Sequence, residues 1–190
     1  MPPIARLSRI APMAMAVCLL TATPVYAQGG RVVVSVASSV ADAVEEIAAL
    51  YRSATGTSVS VNAGGSNTLA RQIVEGAPAS IFLSADEAQM NTVEQAGRIV
   101  PGTRSTLVTN ELAVIAPADA AAISLAHVRE GRIARLALGE PAGVPAGVYA
   151  RTWLEREGAW ARLQSKVVPF PTVRAVLGAV EAGRVDAGVV

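Results

Sequence analysis

Gly64-Gly65-Ser66-Asn67 stands directly before an apolar pattern of helical spacing, Leu69, Ala70 and Ile73. Glycines let successive backbone N–H groups turn toward one point. A helix N-terminus adds unsatisfied donors and a partial positive charge. The chemistry of that combination is oxyanion binding. A second hydroxyl, Ser39, follows the β-branched run ending at Val36, and Asp42 lies three residues on. That spacing predicts a helix capped by Ser39, with Asp42 completing an approximate capping box. Pro145-Ala146-Gly147 and Thr172-Val173 mark two more helix starts. A single serine of this kind reads as an ordinary cap. Two caps at the same end of one sheet make a shared ligand a competing reading. Four N-termini converging on one cleft would hold a dianion without arginine or lysine. Neutral donors select by size, geometry and protonation state, because a protonated ligand brings a donor where only donors wait. Little salt dependence is expected of such a site.

Other chemistries find less support. A secreted hydrolase would use Ser39 or Ser66 as nucleophile and needs a base within hydrogen-bond reach. His127 is the only histidine, in Leu125-Ala126-His127-Val128-Arg129, and reads as a surface or cap residue. No Gly-x-Ser-x-Gly elbow occurs. Gly64-Gly65-Ser66 lacks the lysine of a phosphate-binding loop. No His/Cys/Asp cluster has metal-ligand spacing. Glu45-Glu46 reads as a solvated helix face, Asp86-Glu87 as a helix start, and Trp153 and Trp160 as packing residues.

The elements that must position the donors follow from periodicity. Arg31 to Val36 reads as a buried strand. Val40, Val44, Ile47 and Tyr51 follow at helical spacing, which predicts that they face the sheet, and Gly56 ends that helix. Ser58 to Val61 alternates as a second strand, Ser66 to about Glu75 is a second helix stopped by Gly76, and Ile81 to Ser84 is a third strand. This β-α-β-α-β order predicts an α/β fold with a parallel sheet, ligands lying beyond the carboxyl ends of its strands. Leu107 to Ala116 reads as an extended passage into a second unit. There Ile133 to Leu138 is a strand, a helix carries Val148, Tyr149, Trp153 and Leu154, and Val167-Val168 is a short strand. Thr172 caps a helix bearing Val173, Val176, Leu177 and Val180, closed by Gly183. Val185 to Val190 begins another strand, and the expectation is that the sequence is truncated at its C-terminus.

Composition bounds the setting. Residues 1–27 read as a signal peptide: Arg6 and Arg9 precede an apolar core from Ala14 to Ala22, and Val25-Tyr26-Ala27 fits a cleavage site. The apolar run is too short for a membrane span. The only cysteine, Cys18, lies in that core with Val17 before it, which argues against lipid attachment, so no disulfide is expected. Cleavage leaves about 163 of the 190 residues, room for one substantial domain or two small lobes. Loss of Arg6 and Arg9 turns the balance from one net positive to one net negative charge. No basic stripe remains, so neither nucleic acid nor an anionic membrane surface is an expected partner. Aromatic residues are only 4%, so the core must be aliphatic.

Together these residues resemble the periplasmic molybdate-binding proteins of ABC transporters. The stretches that carry the likeness are Ala37 to Ala43, Ser66 to Ile73, Gly76 to Ala79, Phe82 to Asp86, Val144 to Ala150, Val173-Arg174, Val180-Glu181 and Asp186 to Val190. The resemblance implies two α/β lobes, each a mostly parallel sheet flanked by helices, closing over a tetrahedral oxyanion. It places lobe 1 at 28–106, and a hinge strand with lobe 2 at 107–190. It implies that Ser39 and Ser66 donate from the first lobe and the backbone of Ala146 and Val173 from the second. No catalytic residue, cofactor or direct protein–metal ligand is implied, since molybdenum would enter only inside its oxyanion. The family's tyrosine after the Gly-Val-Val strand, and its final return to the first lobe, would lie beyond Val190. Ser80 and Glu140 stand where the family has aspartate. The implied function is periplasmic capture of molybdate, and of tungstate, by a monomer that delivers it to a membrane permease. A sulfate or other oxyanion carrier, and a non-transport sensor of the same fold, are the alternatives.

Overall fold

A computed structural model describes residues 31–120 and 123–190. The leader expected at residues 1–27, with Cys18, lies outside the described residues. The first sheet begins with β1 (Val32–Ala37), whose Val34, Val36 and Ala37 are buried. A 3-10 turn (Ser38–Val40) leads into α1 (Ala41–Thr55), which stops at Gly56 in the left-handed conformation. β2 (Val59–Gly64), α2 (Ser66–Val74) and β3 (Ile81–Leu83) follow. All pairings are parallel, as the sequence predicts, and the order is β2-β1-β3. α3 (Glu87–Gln95) is capped by Asp86, which accepts from Gln89 N at 2.9 Å.

The second sheet is built from β4 (Val114–Ile115), β5 (Leu136–Gly139), β6 (Val167–Phe170) and β7 (Ala187–Val189) in the order β4-β7-β5-β6. β5 is parallel to both neighbours, and β4 runs antiparallel to β7. Its helices are α4 (Leu125–Arg129), α5 (Pro145–Arg156), α6 (Trp160–Leu163) and α7 (Val173–Glu181). The unit around each sheet is a lobe. The second lobe holds the larger core, in which Leu136, Leu138, Leu154 and Leu163 are fully buried with Trp153 and Trp160 packed around them. Each such leucine contributes about 1.5–3 kcal/mol of transfer free energy. Among the described residues no helix is long and apolar enough to cross a membrane.

Three expectations are corrected. Ser39 is not an N-cap: the 3-10 turn delays α1 to Ala41, and Val40 occupies the cap position without a side-chain bond. Asp42 is therefore free of any capping box. Val40, at the cap of α1, and Val44 pack against the first sheet's core as expected, but Ile47 and Tyr51 do not. Ala41 and Ala48 are buried, while Ile47 is 63% exposed and Tyr51 49%. Small alanines let the helix lie close on a narrow sheet, and the 100° step per residue then turns Ile47 to the edge. Of the extended run 107–116, only Val114–Ile115 pairs in a sheet, and Leu107 and Val108 are exposed. Only the end of that run lies beside β7, whose other neighbour is β5, and Ala113 and Val190 exchange backbone bonds of 2.9 and 3.0 Å there.

Candidate functional site

Between the lobes lies a cavity of about 470 Å³. Its floor and walls are the carboxyl ends of β1 and β2 with the turns that follow them, the first turns of α5 and α7, and the crossing at residues 110–113. Ser39, Ser66, Ala146 and Val173 all line it. They come from four chain segments: strand order pairs them within each lobe, since β1 and β2 are neighbours in one sheet and β5 and β6 in the other, and the facing of the lobes brings the two pairs together.

Each position presents a donor for a local reason. Ser66 is the first residue of α2 and is 1% exposed. Its Oγ accepts from Ala85 N at 2.9 Å. One lone pair is thus taken by the peptide, and the hydroxyl hydrogen is left to donate. Ala146 follows Pro145 at the start of α5, and Val173 opens α7 behind Thr172. Thr172 Oγ1 accepts from Ala175 N at 3.1 Å, as the sequence predicts for a cap. The N–H groups of Ala146 and Val173 fall in first turns, where no intrahelical acceptor exists. Three helix N-termini therefore face one cavity and give it a partial positive potential. Ser39 is exposed on the 3-10 turn at the cavity's edge.

One further lining residue went unmarked in the sequence as part of the site. Tyr149, half exposed, lines the cavity one turn beyond Ala146 and Pro145. The i+3 and i+4 relation to those residues was its available signal. Burial raises its phenol pKa above the ordinary tyrosine value, and the carboxylates of Asp86 and Glu87 raise it further. Asn67 stands where the lobes meet: a Cβ on Gly65 would lie 2.8 Å from both Asn67 Oδ1 and Pro171 O, so only glycine fits there. Asn67 Oδ1 is buried without a partner. The charged lining is Asp42, Glu111 and Arg174.

His127 is elsewhere, on α4, sharing a capping box with Ser124 at 2.9 Å. It does not line the cavity, so neither serine there has it as a base. Among the described residues no group of three His, Cys, Asp or Glu side chains could hold a metal ion. A second cavity, about 570 Å³, is lined largely by Leu112, Val114, Ile123, Leu125, Trp153 and Val189. Its walls are mostly apolar, and its two charged residues are Glu111 and Arg129, the latter paired with Glu157 at 2.9 Å.

A cleft between two α/β lobes, lined at helix starts by backbone and hydroxyl groups, is the architecture of a solute-binding protein. The family model for bacterial extracellular solute-binding proteins matches residues 32–190, and the chain belongs to that family. It is 36% identical over 172 residues to the molybdate-binding protein ModA of Escherichia coli K12, covering 86% of this chain and 66% of that protein. Among solved structures it is similar to the substrate-binding domain of a putative molybdenum ABC transporter from Clostridium difficile, at 32% identity and TM-score 0.61, covering 84% of this chain and 70% of that one. It is also similar to the Azotobacter vinelandii periplasmic molybdate-binding protein, at 26% identity and TM-score 0.75, with the same coverage. The chain spans about two thirds of the length of the curated relatives it matches.

The donor set has a consequence for pH. The single histidine is outside the cavity, and Tyr149 is held neutral beyond its usual range. A raised phenol pKa keeps the proton on as pH climbs toward the ordinary tyrosine value, so its donor survives. Affinity for an oxyanion is expected to stay flat between about pH 6 and 9. Calorimetric titration across that window checks it, and a loss of affinity above pH 8 would mean that a titrating group supplies a donor.

Proposed function

We propose that this protein captures molybdate, and tungstate with it, as the extracytoplasmic receptor of an ABC permease. Ser39 and Ser66 donate from the first lobe, and the Ala146 and Val173 N–H groups from the second. The observation that supports this most is the meeting of these four donors on one cavity without a cation aimed into it. The named relatives give the ligand class. Molybdate and tungstate are nearly equal in size and charge, so neutral donors hold both. Sulfate, with shorter bonds, would sit loosely between the same donors. The periplasm, reached through a cleaved leader at residues 1–27, is the proposed location. The working form is a monomer needing no cofactor, and nucleic acid has no part in it.

The test is thermal unfolding with molybdate, tungstate, sulfate or phosphate. A ligand at about 100 times its Kd stabilises by about 2.7 kcal/mol. That raises Tm by roughly 5–10 °C at this chain length. A shift with molybdate and tungstate alone is expected. An equal shift with sulfate would replace the reading with a general oxyanion carrier, and no shift with any anion would favour a sensor or interaction role.

A further inference from the structure

Arg174 is the second residue of α7, a position where the helix dipole disfavours a cation. Its guanidinium turns away from the helix end and reaches Asp42 Oδ2 at 2.8 Å. Asp42 sits in the first turn of α1, where the dipole favours a carboxylate. The partners are 132 residues apart in sequence and belong to opposite lobes. Both line the cleft, and Arg174 is the sole cation among its lining residues. The pair spans the mouth rather than the floor, since the two side chains remain 50% and 78% exposed.

We propose that Asp42 and Arg174 form an inter-lobe latch that sets how long the cleft retains its anion. This rests on the binding role argued above. A ligand enclosed by donors from both lobes leaves only when the lobes part, and parting breaks this contact. The same pairing neutralises Arg174, so the cation does not compete with the directed donors for the ligand. An exposed ion pair is strong enough to change a rate by about 1.5- to 5-fold and too weak to decide folding.

The sign of one mutant separates the latch from simple electrostatics. If charge alone mattered, Asp42→Asn would remove a repulsive carboxylate and free Arg174 for the dianion, so release would slow. The latch demands the opposite. Stopped-flow displacement of bound molybdate is expected to show release about 1.5- to 5-fold faster in Asp42→Asn and in Arg174→Gln. The double mutant should release no faster than either single one, because the pair acts as a unit. High salt should speed release from the parent and leave Asp42→Asn unchanged. Slower release from Asp42→Asn, or additive effects in the double mutant, would overturn the proposal. A second reading needs no ligand. Spin labels at Glu46→Cys on α1 and Glu181→Cys on α7, in a Cys18→Ser background, report the inter-lobe distance. Its distribution is expected to broaden in Asp42→Asn, and an unchanged distribution would sink the latch. If no oxyanion binds, the functional reading fails and this distance measurement decides the latch alone.

Discussion

Gly147→Ala is expected to be among the most damaging single substitutions in this chain, although it adds one methyl group. A Cβ at 147 would stand 2.1 Å from Gly139 O, 2.5 Å from Gly139 C and 2.8 Å from Glu140 O. All three are backbone atoms at the end of β5, so no side chain can rotate away. Helix propensity points the other way, since alanine is better than glycine by about 1 kcal/mol in a helix interior. Gly147 also has no positive φ that would exclude alanine. The collision decides the sign. The start of α5 must lift off β5, at a cost of about 3 kcal/mol, the upper end of the overpacking range. The Ala146 N–H moves with it, so binding should weaken by more than about tenfold, the equivalent of 1.4 kcal/mol. Urea unfolding and calorimetry with molybdate measure the two effects. Gly178→Ala is the control: its added Cβ meets nothing within 4 Å on α7, and it is expected to stabilise by about 0.5–1 kcal/mol. A Gly147→Ala protein as stable as its parent would show that α5 does not pack as described.

What the sequence disclosed depended on how local the cause was. Gly56 as a helix stop, Asp86 as a helix start, Thr172 as a cap, and the parallel pairing of the first sheet each follow from local pattern. Ser66 was marked by its glycine pair and the helix behind it. The same local logic misplaced Ser39, because a serine three residues before an acid also fits a 3-10 turn, and nothing nearby selects the α-helical alternative. Gly147 was visible as part of a helix start, but its need for a bare Cα comes from the carbonyl of Gly139 on the preceding strand. Ile47 and Tyr51 had the right period and the wrong side, since the close approach of Ala41 and Ala48 to the sheet fixes the helix rotation. The Asp42–Arg174 contact was out of reach altogether. Its partners meet only because two separately formed lobes face each other, and Asp42 had already been given a plausible local use.

Ser66→Ala is expected to weaken molybdate binding by about 1–3 kcal/mol, the cost of leaving a buried partner unpaired. That corresponds to roughly 5- to 150-fold in Kd. Two losses combine in this mutant. The anion loses the hydroxyl hydrogen, and the Ala85 N–H, which Ser66 Oγ accepts at 2.9 Å, loses its acceptor. The second loss exists without ligand, so ligand-free stability should also fall, by about 1 kcal/mol. Ser39→Ala supplies the contrast. Ser39 is exposed on the 3-10 turn and does not cap α1, so its removal should leave ligand-free stability within about 0.5 kcal/mol while still weakening binding. Calorimetry gives the affinities, and denaturant unfolding without ligand gives the stabilities. A Ser66→Ala protein with unchanged affinity would remove that hydroxyl from the site and leave it a purely structural bond to the β3–α3 connection. Equal stability losses in the two mutants would mean that the bond to Ala85 does not form. The difference between these two mutants measures how the proposed binding divides between a buried hydroxyl pinned to Ala85 and an exposed one at the cavity's edge.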